Sequence, residues 1–387
     1  MKSVETGQAE RWLSFMEHAV EVRQAAFLKD GHAKAGRNGP YGNTDTPVRN
    51  TAHWLITCDY LWRQTGETAY HKLVQLFATY LRDEERGPSG AIRCMVDDRF
   101  DHINGLIGQA WVIEALARAA TSLSDDTYHQ SARDLFNVQL FDERRGIWIR
   151  TEIDGSHLGP DWVFNHQLWF AAAGSQLQDV APDPSIDVQI LRFLHRCRRN
   201  FRVHHSGLIR HRIDTVFSRG ITPRRRIGCV VKPPLEFLRA QRLRALGREN
   251  PTLQFESAYH WFNLLGFAIL HQRYADHEFF DSRTFLRALG FGLSEQVIAD
   301  ACNLPGFQHS EPRTTHEFNQ YLYGYNSPAF EYGSICRLLG RAPAPVEDSL
   351  LDLQWDLTCD ETSGTLSRFA ADPETMTARI YELTYGR

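Results

Sequence analysis

The fold is decided by residues 46–63, TPVRNTAHWLITCDYLWR. Thr46 and Pro47 make a good N-cap and first-turn pair, and the apolar residues that follow recur at helical spacing, which predicts a helix over residues 47–64. Thr65-Gly66 then ends this helix, and the next segment, ETAYHKLVQLFATYL, predicts a second helix that ends near residue 82. The two segments together predict a helical hairpin.

The same hairpin pattern returns along the chain. Further first helices, each followed by a partner helix, are predicted over residues 104–121, 163–177, 257–273 and 317–340. Trp54, Trp111 and Trp169 lie in successive first helices, 57 and 58 residues apart. Such a unit cannot bury its apolar face alone, so the repeats predict an all-α solenoid or ring that takes up residues 1–387 as one domain. A helix over residues 8–28 is expected to complete it with the last segment.

Two stretches interrupt the helical pattern with Gly, Pro and alternating apolar residues. They are GPSGAIRCMVDDRFDH (87–102) and FDERRGIWIRTEIDGSHLGPDW (141–162), and both predict short strand-like loops or hairpins. Each runs directly into a first helix that carries one of the tryptophans. Because loops of repeat folds cluster on one face and carry binding, we expect the functional residues at this end.

Bulk composition narrows the class of protein. The chain is 42% hydrophobic with a net charge of −4, so nucleic acid is not an expected partner. It has no apolar run long enough to span a membrane, and its N-terminus has no secretory signal. Seven scattered cysteines without CxxC argue against disulfides and a Cys-rich zinc site. We expect a soluble, reduced, cytoplasmic protein without metal or cofactor. Export within a complex stays open, and the oligomeric state is not predicted.

The stretch DDRFDHIN (97–104) closes the first of these loops and enters the helix at 104. Its carboxylates offer the acid and the base that glycosidases use, so Asp101 is predicted as a general acid. The alternative is that Asp101 only caps the helix. His102 and Asn104 are predicted to bind substrate, and Asp161 is the expected partner carboxyl.

Polar residues also open an otherwise apolar helix at NHQLW (165–169). His166 can shuttle a proton near neutral pH, and Asn165 can donate to a carboxylate or a sugar hydroxyl. Trp169 is predicted to offer a flat face to a sugar. The alternative is a capped helix start with a satisfied histidine.

A similar start, Tyr259-His260-x-x-Asn263, opens a later first helix. The two histidines at equivalent helix starts are expected to converge on one cavity, with His260 as a second proton-transfer group and Tyr259 and Asn263 as substrate contacts. No HExxH or His-x-His pair accompanies them, so a metal site is not expected.

The remaining predicted contacts come from the first and the last hairpins. Arg49 is a natural clamp for a carboxylate or phosphate on a sugar, although a surface Arg at a helix start is the alternative. The other predicted substrate-binding residues are His53, Trp54, Trp111, Glu317, Tyr325 and Asn326.

Residues 192–226 form the one strong charge asymmetry, with eleven Arg and a single acid, Asp214. An anionic-polymer track, a partner surface and a solvated lid are all compatible with this Arg-rich segment.

With these residues in view, the chain resembles the six-hairpin toroid enzymes that act on carbohydrates and occur in polysaccharide gene clusters. The stretch DHIN (101–104) resembles the region that holds the catalytic Asp of unsaturated glucuronyl hydrolases. Arg49, His166 and His260 resemble the Arg and two His of the N-acylglucosamine 2-epimerase group. The resemblance implies an (α/α)6-type toroid of helical hairpins with short β-like loops on one face.

The stretch NHQLW (165–169) resembles the Asn-Asn-His-x-x-Trp motif of alginate lyases, in which Asn neutralises the uronate and His takes part in proton abstraction. Phe164 stands where that motif has its first Asn. The resemblance therefore implies an oligo- or polysaccharide substrate and favours one that contains uronate.

Three functions follow from these patterns. The leading hypothesis is a glycoside hydrolase in which Asp101 is the general acid and its partner carboxyl, about 5–10 Å away, is Asp161 or a late Glu. The late candidates are Glu256, Glu317 and Glu331. The second is a lyase or sugar epimerase in which Arg49 or Asn165 holds a carboxylate and His166, His260 or a tyrosine removes a carbon-bound proton. The third is a non-catalytic sugar-binding component of a polysaccharide assembly system. Converging carboxyls would favour the first function, a His/Tyr/Arg/Asn cluster the second, and a shallow aromatic groove the third.

Overall fold

The structure, a computed structural model, describes residues 7–38, 42–83, 86–213, 251–302, 321–341, 345–368, 370 and 372–387. In chain order its α-helices are α1 (Gly7–Asp30), α2 (Val48–Thr65), α3 (Thr68–Asp83), α4 (Gly105–Leu123), α5 (Asp126–Val138), α6 (Phe164–Val180), α7 (Pro184–Asn200), α8 (Pro251–Ala258), α9 (His260–Tyr274), α10 (Arg283–Gly292), α11 (Glu295–Cys302), α12 (Pro328–Leu338), α13 (Pro345–Thr358) and α14 (Pro373–Ala378). A 3₁₀ helix, Arg379–Thr384, follows α14 directly.

The first helices of the hairpins form a closed inner ring. α2 packs against α4, α4 against α6, α6 against α9, α9 against α12, α12 against the 3₁₀ helix, and the 3₁₀ helix against α2. The second helices lie outside, where α3 packs on α2 and α4, and α5 packs on α4 and α6. The repeat therefore closes into a toroid, which confirms the all-α toroid of helical hairpins and excludes an open solenoid.

Burial explains why the two kinds of helix take different layers. α4 is buried along almost its whole length, because neighbours surround it on every side. α5 is amphipathic instead, and its buried residues, Tyr128, Ala132, Leu135 and Phe136, fall on one stripe at helical spacing. A helix that is apolar all round belongs inside, and one with a single apolar stripe belongs in the outer layer.

The ring is completed by the two ends of the chain. α1 packs against α2, α3 and α13, and the 3₁₀ helix supplies the last inner position. This agrees with the prediction that a helix over residues 8–28 and the last segment complete the ring. The predicted helix at 317–340 is corrected, because α12 begins only at Pro328, which occupies the first turn after Ser327, and residues 321–327 form turns.

The strands are short and lie in the loops. They are β1 (Arg37–Asn38), β2 (Asn43–Thr44), β3 (Leu140–Asp142), β4 (Ile147–Thr151), β5 (His157–Pro160), β6 (Cys359–Asp360) and β7 (Thr365–Leu366). β3, β4 and β5 form an antiparallel sheet within the predicted strand-like stretch 141–162, with Phe141 opposite Trp148. The other predicted stretch, 87–102, takes part in isolated bridges, such as Asp45 to Met95.

Two further predictions concern the whole chain. None of the helices within the described ranges has the length and apolarity needed to cross a membrane. That residues 1–387 form a single domain stays a prediction.

Candidate active site

A cavity of about 330 Å³ lies at the end of the ring where the inner helices begin. The first turns of α2, α4 and α6 contribute to its wall, and the 3₁₀ helix at the C-terminus closes it from the opposite side. The cavity therefore gathers side chains that are far apart in the sequence, many of them at or near helix starts.

Asp161 and His166 form a hydrogen-bonded pair on the wall of this cavity. His166 Nδ1 lies 2.8 Å from Asp161 Oδ2, and the N–H groups of Leu106 and Val163 also donate to this carboxylate. Burial alone would raise the pKa of Asp161, but His166, Arg150 and the N–H of Val163 outweigh it and hold that pKa at about 2. An ionised Asp161 therefore fixes the orientation of the His166 ring and leaves Nε2 for a molecule in the cavity.

Backbone conformation at the start of α4 makes this pair possible. Asn104 and Gly105 both adopt positive φ, 55° and 60°. A Cβ at Gly105 would lie 2.4 Å from His166 Nδ1 and 2.6 Å from Asp161 Oδ2, so only glycine fits there. The turn also directs successive N–H groups, of Gly105 and Leu106, at two different carboxylates.

Asp101 receives donors on both of its oxygens. The Gly105 N–H donates to Oδ1 at 2.5 Å, and Arg150 donates to Oδ2 at 2.6 Å. These contacts match a carboxyl group that caps the helix start and holds Arg150, which is the alternative interpretation of this residue. Two carboxyls thus come together at this end of α4, Asp101 and Asp161, and each is already engaged by hydrogen-bond donors.

The deepest part of the cavity contains buried polar atoms that have no hydrogen-bond partner among the described residues. They are Arg49 Nε, both ring nitrogens of His53, Asn165 Oδ1, the Tyr381 hydroxyl and Glu382 Oε2. Buried polar groups are normally paired, so a cluster of orphaned ones indicates a place where a polar ligand binds.

Arg49 and His53 stand four residues apart in α2, so their polar atoms lie on one face of this helix. The Arg49 guanidinium lies 4.3 Å above the Trp111 ring and also contacts Tyr325, and its contact with Asp45 is long, 3.5 Å. The ring of His53 stacks on Tyr381 at 4.3 Å. Burial and the charges of Arg49 and Arg379 hold the pKa of His53 well below its usual value, so His53 is neutral near pH 7.

Arg379 has a different role, because all five of its donors are used inside the protein. It donates to Glu382 and Glu331, to the side chain of Asn326 and to the carbonyl of Tyr325. Burial raises the pKa of both Glu331 and Glu382, and the neighbouring carboxylates Glu382 and Glu114, respectively, add to the effect. Arg379 therefore stabilises the 3₁₀-helix side of the cavity, whereas Nε of Arg49 has no hydrogen-bond partner among the described residues.

The sequence patterns missed His211, which also lines the cavity. It lies within the Arg-rich segment 192–226, where it stands among charged residues with no motif around it, so nothing in the sequence marked it. Burial and the neighbouring His166 lower the pKa of His211 to about 4, which keeps its ring neutral at physiological pH. The cavity thus contains two histidines on one wall, His166 and His211.

Several predicted site residues lie elsewhere. His260 is a core residue, whose Nδ1 accepts from the Ile209 N–H and whose Nε2 contacts the Ala288 carbonyl. The prediction that His166 and His260 converge on one cavity is therefore wrong, because His260 lies in the core. Five further predicted residues do not line the cavity: Trp54, His102, Trp169, Asn263 and Asn326.

Each of these residues has an identifiable contact instead. Trp54 packs against Phe27 of the outer helix α1, and Trp169 stacks on Phe262. Asn263 donates to the Tyr259 carbonyl, while His102 pairs with Asp98 beside the cavity.

The predicted residues that do line the cavity are Arg49, His53, Asp101, Asn104, Trp111, Asp161, Asn165, His166, Tyr259 and Tyr325. Glu317 lies outside the described residues, as does the Arg-rich segment beyond residue 213. In the part of the chain that the structure describes, no three His, Cys, Asp or Glu side chains are arranged to hold a metal ion.

Solved structures with a similar fold process carbohydrates. Cellobiose 2-epimerase from Spirochaeta thermophila matches with a TM-score of 0.63 at 13% identity, over 99% of this chain and 98% of that one. An unsaturated glucuronyl hydrolase specific for heparin matches at 0.58 and 13%, over 97% and 96%. A polysaccharide lyase matches at 0.57 and 11%, over 98% and 96%. The chain thus has the (α/α)6-toroid fold of this class of enzymes, which confirms the resemblance drawn from the sequence.

Sequence comparison gives the family. No family model matches the chain. Archaeal glycosylation protein Q of Haloferax volcanii is 30% identical over 372 residues, which cover 95% of each protein. The chain belongs to the family of this glycosylation protein.

Proposed function

We propose that the chain is a carbohydrate-active enzyme that removes a carbon-bound proton from an acidic sugar, as epimerases and lyases do, with His166 as the base. The toroid fold and the relationship to a glycosylation protein support a saccharide substrate. One observation carries the choice of chemistry: the 2.8 Å contact between Asp161 and His166 in a cavity where Asp101 is occupied by two donors.

His166 has the features of an oriented base. In the tautomer whose Nδ1–H donates to the ionised Asp161, the ring lone pair is on Nε2. When Nε2 takes a proton, the positive charge that develops on the ring is stabilised by the adjacent carboxylate. Asp161 thus acts as a positioning residue, and His166 acts on the substrate.

The floor of the cavity supplies the complementary charge. A proton next to a carboxylate or carbonyl group becomes acidic when the negative charge that forms on the oxygens is stabilised. Arg49 Nε and the ring nitrogens of His53 are buried polar atoms without a hydrogen-bond partner among the described residues, and Arg49 is 2% exposed. We place the carboxylate of an acidic sugar on these donors, which leaves the neighbouring C–H bond for His166.

The test uses D-glucuronate and disaccharides that end in glucuronate, incubated in D₂O. Deuterium is expected at the carbon next to the carboxylate, followed by NMR, and His166→Asn should slow its incorporation about 10²–10⁴-fold. The matched control is His195→Asn on the outer helix α7, where the histidine is half exposed and touches Glu278. Release of free sugars without any carbon-bound deuterium would overturn the proposal. A new absorbance near 235 nm would identify the reaction as elimination (a double bond conjugated to a carboxylate absorbs at roughly this wavelength).

A glycoside hydrolase is the second candidate, and one observation favours it. Glu382 lines the cavity, burial raises its pKa, and its Oε2 has no partner among the described residues, as suits a carboxyl that gives up a proton. If this candidate is right, Glu382→Gln abolishes release of sugar from disaccharides, and ¹⁸O from water enters the product. If the proton-abstraction proposal is right, no ¹⁸O from water enters a cleavage product.

A further inference from the structure

A second depression adjoins the cavity. It has a volume of about 700 Å³ and lies between the 97–104 loop and the β4–β5 hairpin. Phe100, Asp101 and Arg150 line both spaces. This outer cleft is therefore continuous with the cavity and opens outward from the Asp101–Arg150 ion pair.

The carboxylates around the outer cleft are already satisfied. Asp97 pairs with Arg99 at 2.5 Å, and Asp98 contacts His102 at 2.9 Å. Glu152 accepts from the N–H groups of His102 and Ile153. Asp154 accepts from the N–H of Ser156, so each carboxylate lining this cleft among the described residues has a hydrogen-bond donor.

Apolar side chains are exposed in the same cleft. Phe100 is 49% exposed and Leu158 is 41% exposed. Large apolar groups left in water beside polar side chains such as Arg150 and His102 mark binding surfaces for ligands that have both apolar faces and polar edges. A sugar ring has this combination, because its C–H face packs on an aromatic ring while its hydroxyls reach the polar edge.

We propose that the outer cleft binds a second sugar unit, so that the substrate is a glycan of at least two sugars whose terminal unit occupies the cavity. The proposal rests on the proposed function for the reaction in the cavity. The size of the inner space supports it, since 330 Å³ is at the lower end of the range of about 300–1,000 Å³ for small-ligand pockets, which suits one sugar ring. The next unit then lies over the Asp101–Arg150 pair, with one face against Phe100.

Kinetics on matched substrates test the proposal. The probes are D-glucuronate and disaccharides that carry glucuronate at either end, with deuterium incorporation as the readout. We expect kcat/KM for one of the disaccharides to exceed that for free glucuronate at least tenfold. Phe100→Ala should lower the disaccharide value about tenfold, chiefly through KM, and should lower the glucuronate value less, because Phe100 also lines the cavity. Leu158→Ala, at a residue that lines the outer cleft and not the cavity, should lower the disaccharide value and leave the glucuronate value unchanged. Leu286→Ala is the control, because Leu286 has the same 49% exposure on the outer helix α10.

Equal kcat/KM values for glucuronate and both disaccharides, or an equal loss on all probes in Phe100→Ala, would overturn the outer-cleft proposal while leaving the proposed function intact. If no probe exchanges deuterium, the proposed function fails by itself. In that case, titration calorimetry with the same sugars tests the outer-cleft proposal. The proposal requires that a disaccharide bind more tightly than glucuronate and that Phe100→Ala lose this difference.

Discussion

At the scale of single residues, the site depends on one close approach. Gly105 brings the start of α4 so near to Asp161 and His166 that no side chain fits between them. The same turn orients the N–H of Leu106 toward Asp161. A glycine at a helix start is common, so its meaning could not be read from the sequence without knowing which side chains face it.

Replacement of Gly105 tests this arrangement. We expect Gly105→Ala to separate His166 from Asp161 and to lower kcat at least tenfold, because its Cβ would overlap both side chains. Gly66→Ala is the matched control, since Gly66 also has positive φ, 73°, but has nothing within 4 Å of the added methyl. Both variants should lose about 1 kcal/mol of stability from backbone strain. The assignment fails if the two variants keep equal activity.

Asp161 gives a prediction about acid stability. Its pKa of about 2 in the folded protein lies below the value of about 3.9 in an unfolded chain. The carboxylate therefore contributes roughly 2 kcal/mol of stability above pH 4, which is lost as the pH falls toward 2. Urea unfolding at pH 7 and at pH 3 should show that this part of the pH dependence is missing in Asp161→Asn. A variant with an unchanged pH profile would contradict the ionised, donor-rich Asp161.

At the scale of helices, two similar starts have opposite outcomes. His166 is the third residue of α6 and reaches the cavity, whereas His260 is the first residue of α9 and turns into the core. Helical periodicity located both helices, but one residue of helix turns a side chain by about 100°. The sequence therefore predicted that polar groups cluster where the inner helices begin, and it could not predict which of them face inward.

The tryptophans show the same limit. Trp54, Trp111 and Trp169 occupy similar depths in α2, α4 and α6, as their spacing predicted. Only Trp111 of the three lines the cavity, because Trp54 faces α1 and Trp169 packs on Phe262. Regular spacing identified the repeat, and packing against different neighbours decided the role of each ring.

The buried histidine of α9 predicts a pH effect on stability. Burial lowers the pKa of His260 to about 4, whereas an unfolded chain has about 6.5. The unfolded state thus binds a proton more readily, so the contribution of His260 is complete above pH 6.5 and is lost as the pH falls to 4. The stability gap between wild type and His260→Gln should narrow by about 3 kcal/mol between pH 7 and pH 4.

This difference isolates His260, because other groups titrate equally in both proteins. Asp45, whose pKa burial raises to about 6, is one of them. A gap between the two unfolding free energies that stays constant over this pH range would show that His260 is not a buried neutral ring.

At the scale of the whole molecule, the ring is closed by the end of the chain. The 3₁₀ helix contacts both α2 and α12 and brings Arg379, Tyr381 and Glu382 to the cavity. Repetition in the sequence predicted a solenoid or a ring, and the resemblance implied the ring. The C-terminal contribution to the floor carried no repeat signal, because this segment is a short 3₁₀ helix and not a hairpin like the others.

Arg379 is expected to be the main link in this closure. Arg379→Met should cost about 3–5 kcal/mol, because it leaves Glu382 buried without its cation and removes the donor to Glu331. Glu331→Gln should cost less, about 1 kcal/mol, since the amide has nearly the same shape and its oxygen can still accept from Arg379. Urea unfolding of both variants measures the difference. Equal losses would contradict Arg379 as the main link.

The central claim is that His166, held by Asp161, exchanges a proton with a carbon atom of an acidic sugar. Its most direct test is NMR of glucuronate and glucuronate-ended disaccharides after incubation in D₂O with the wild-type chain and with His166→Asn. We predict deuterium at the carbon next to the carboxylate with wild type and incorporation at least a hundredfold slower with the variant. Substrate turned over by wild type with that carbon still fully protonated would contradict the claim.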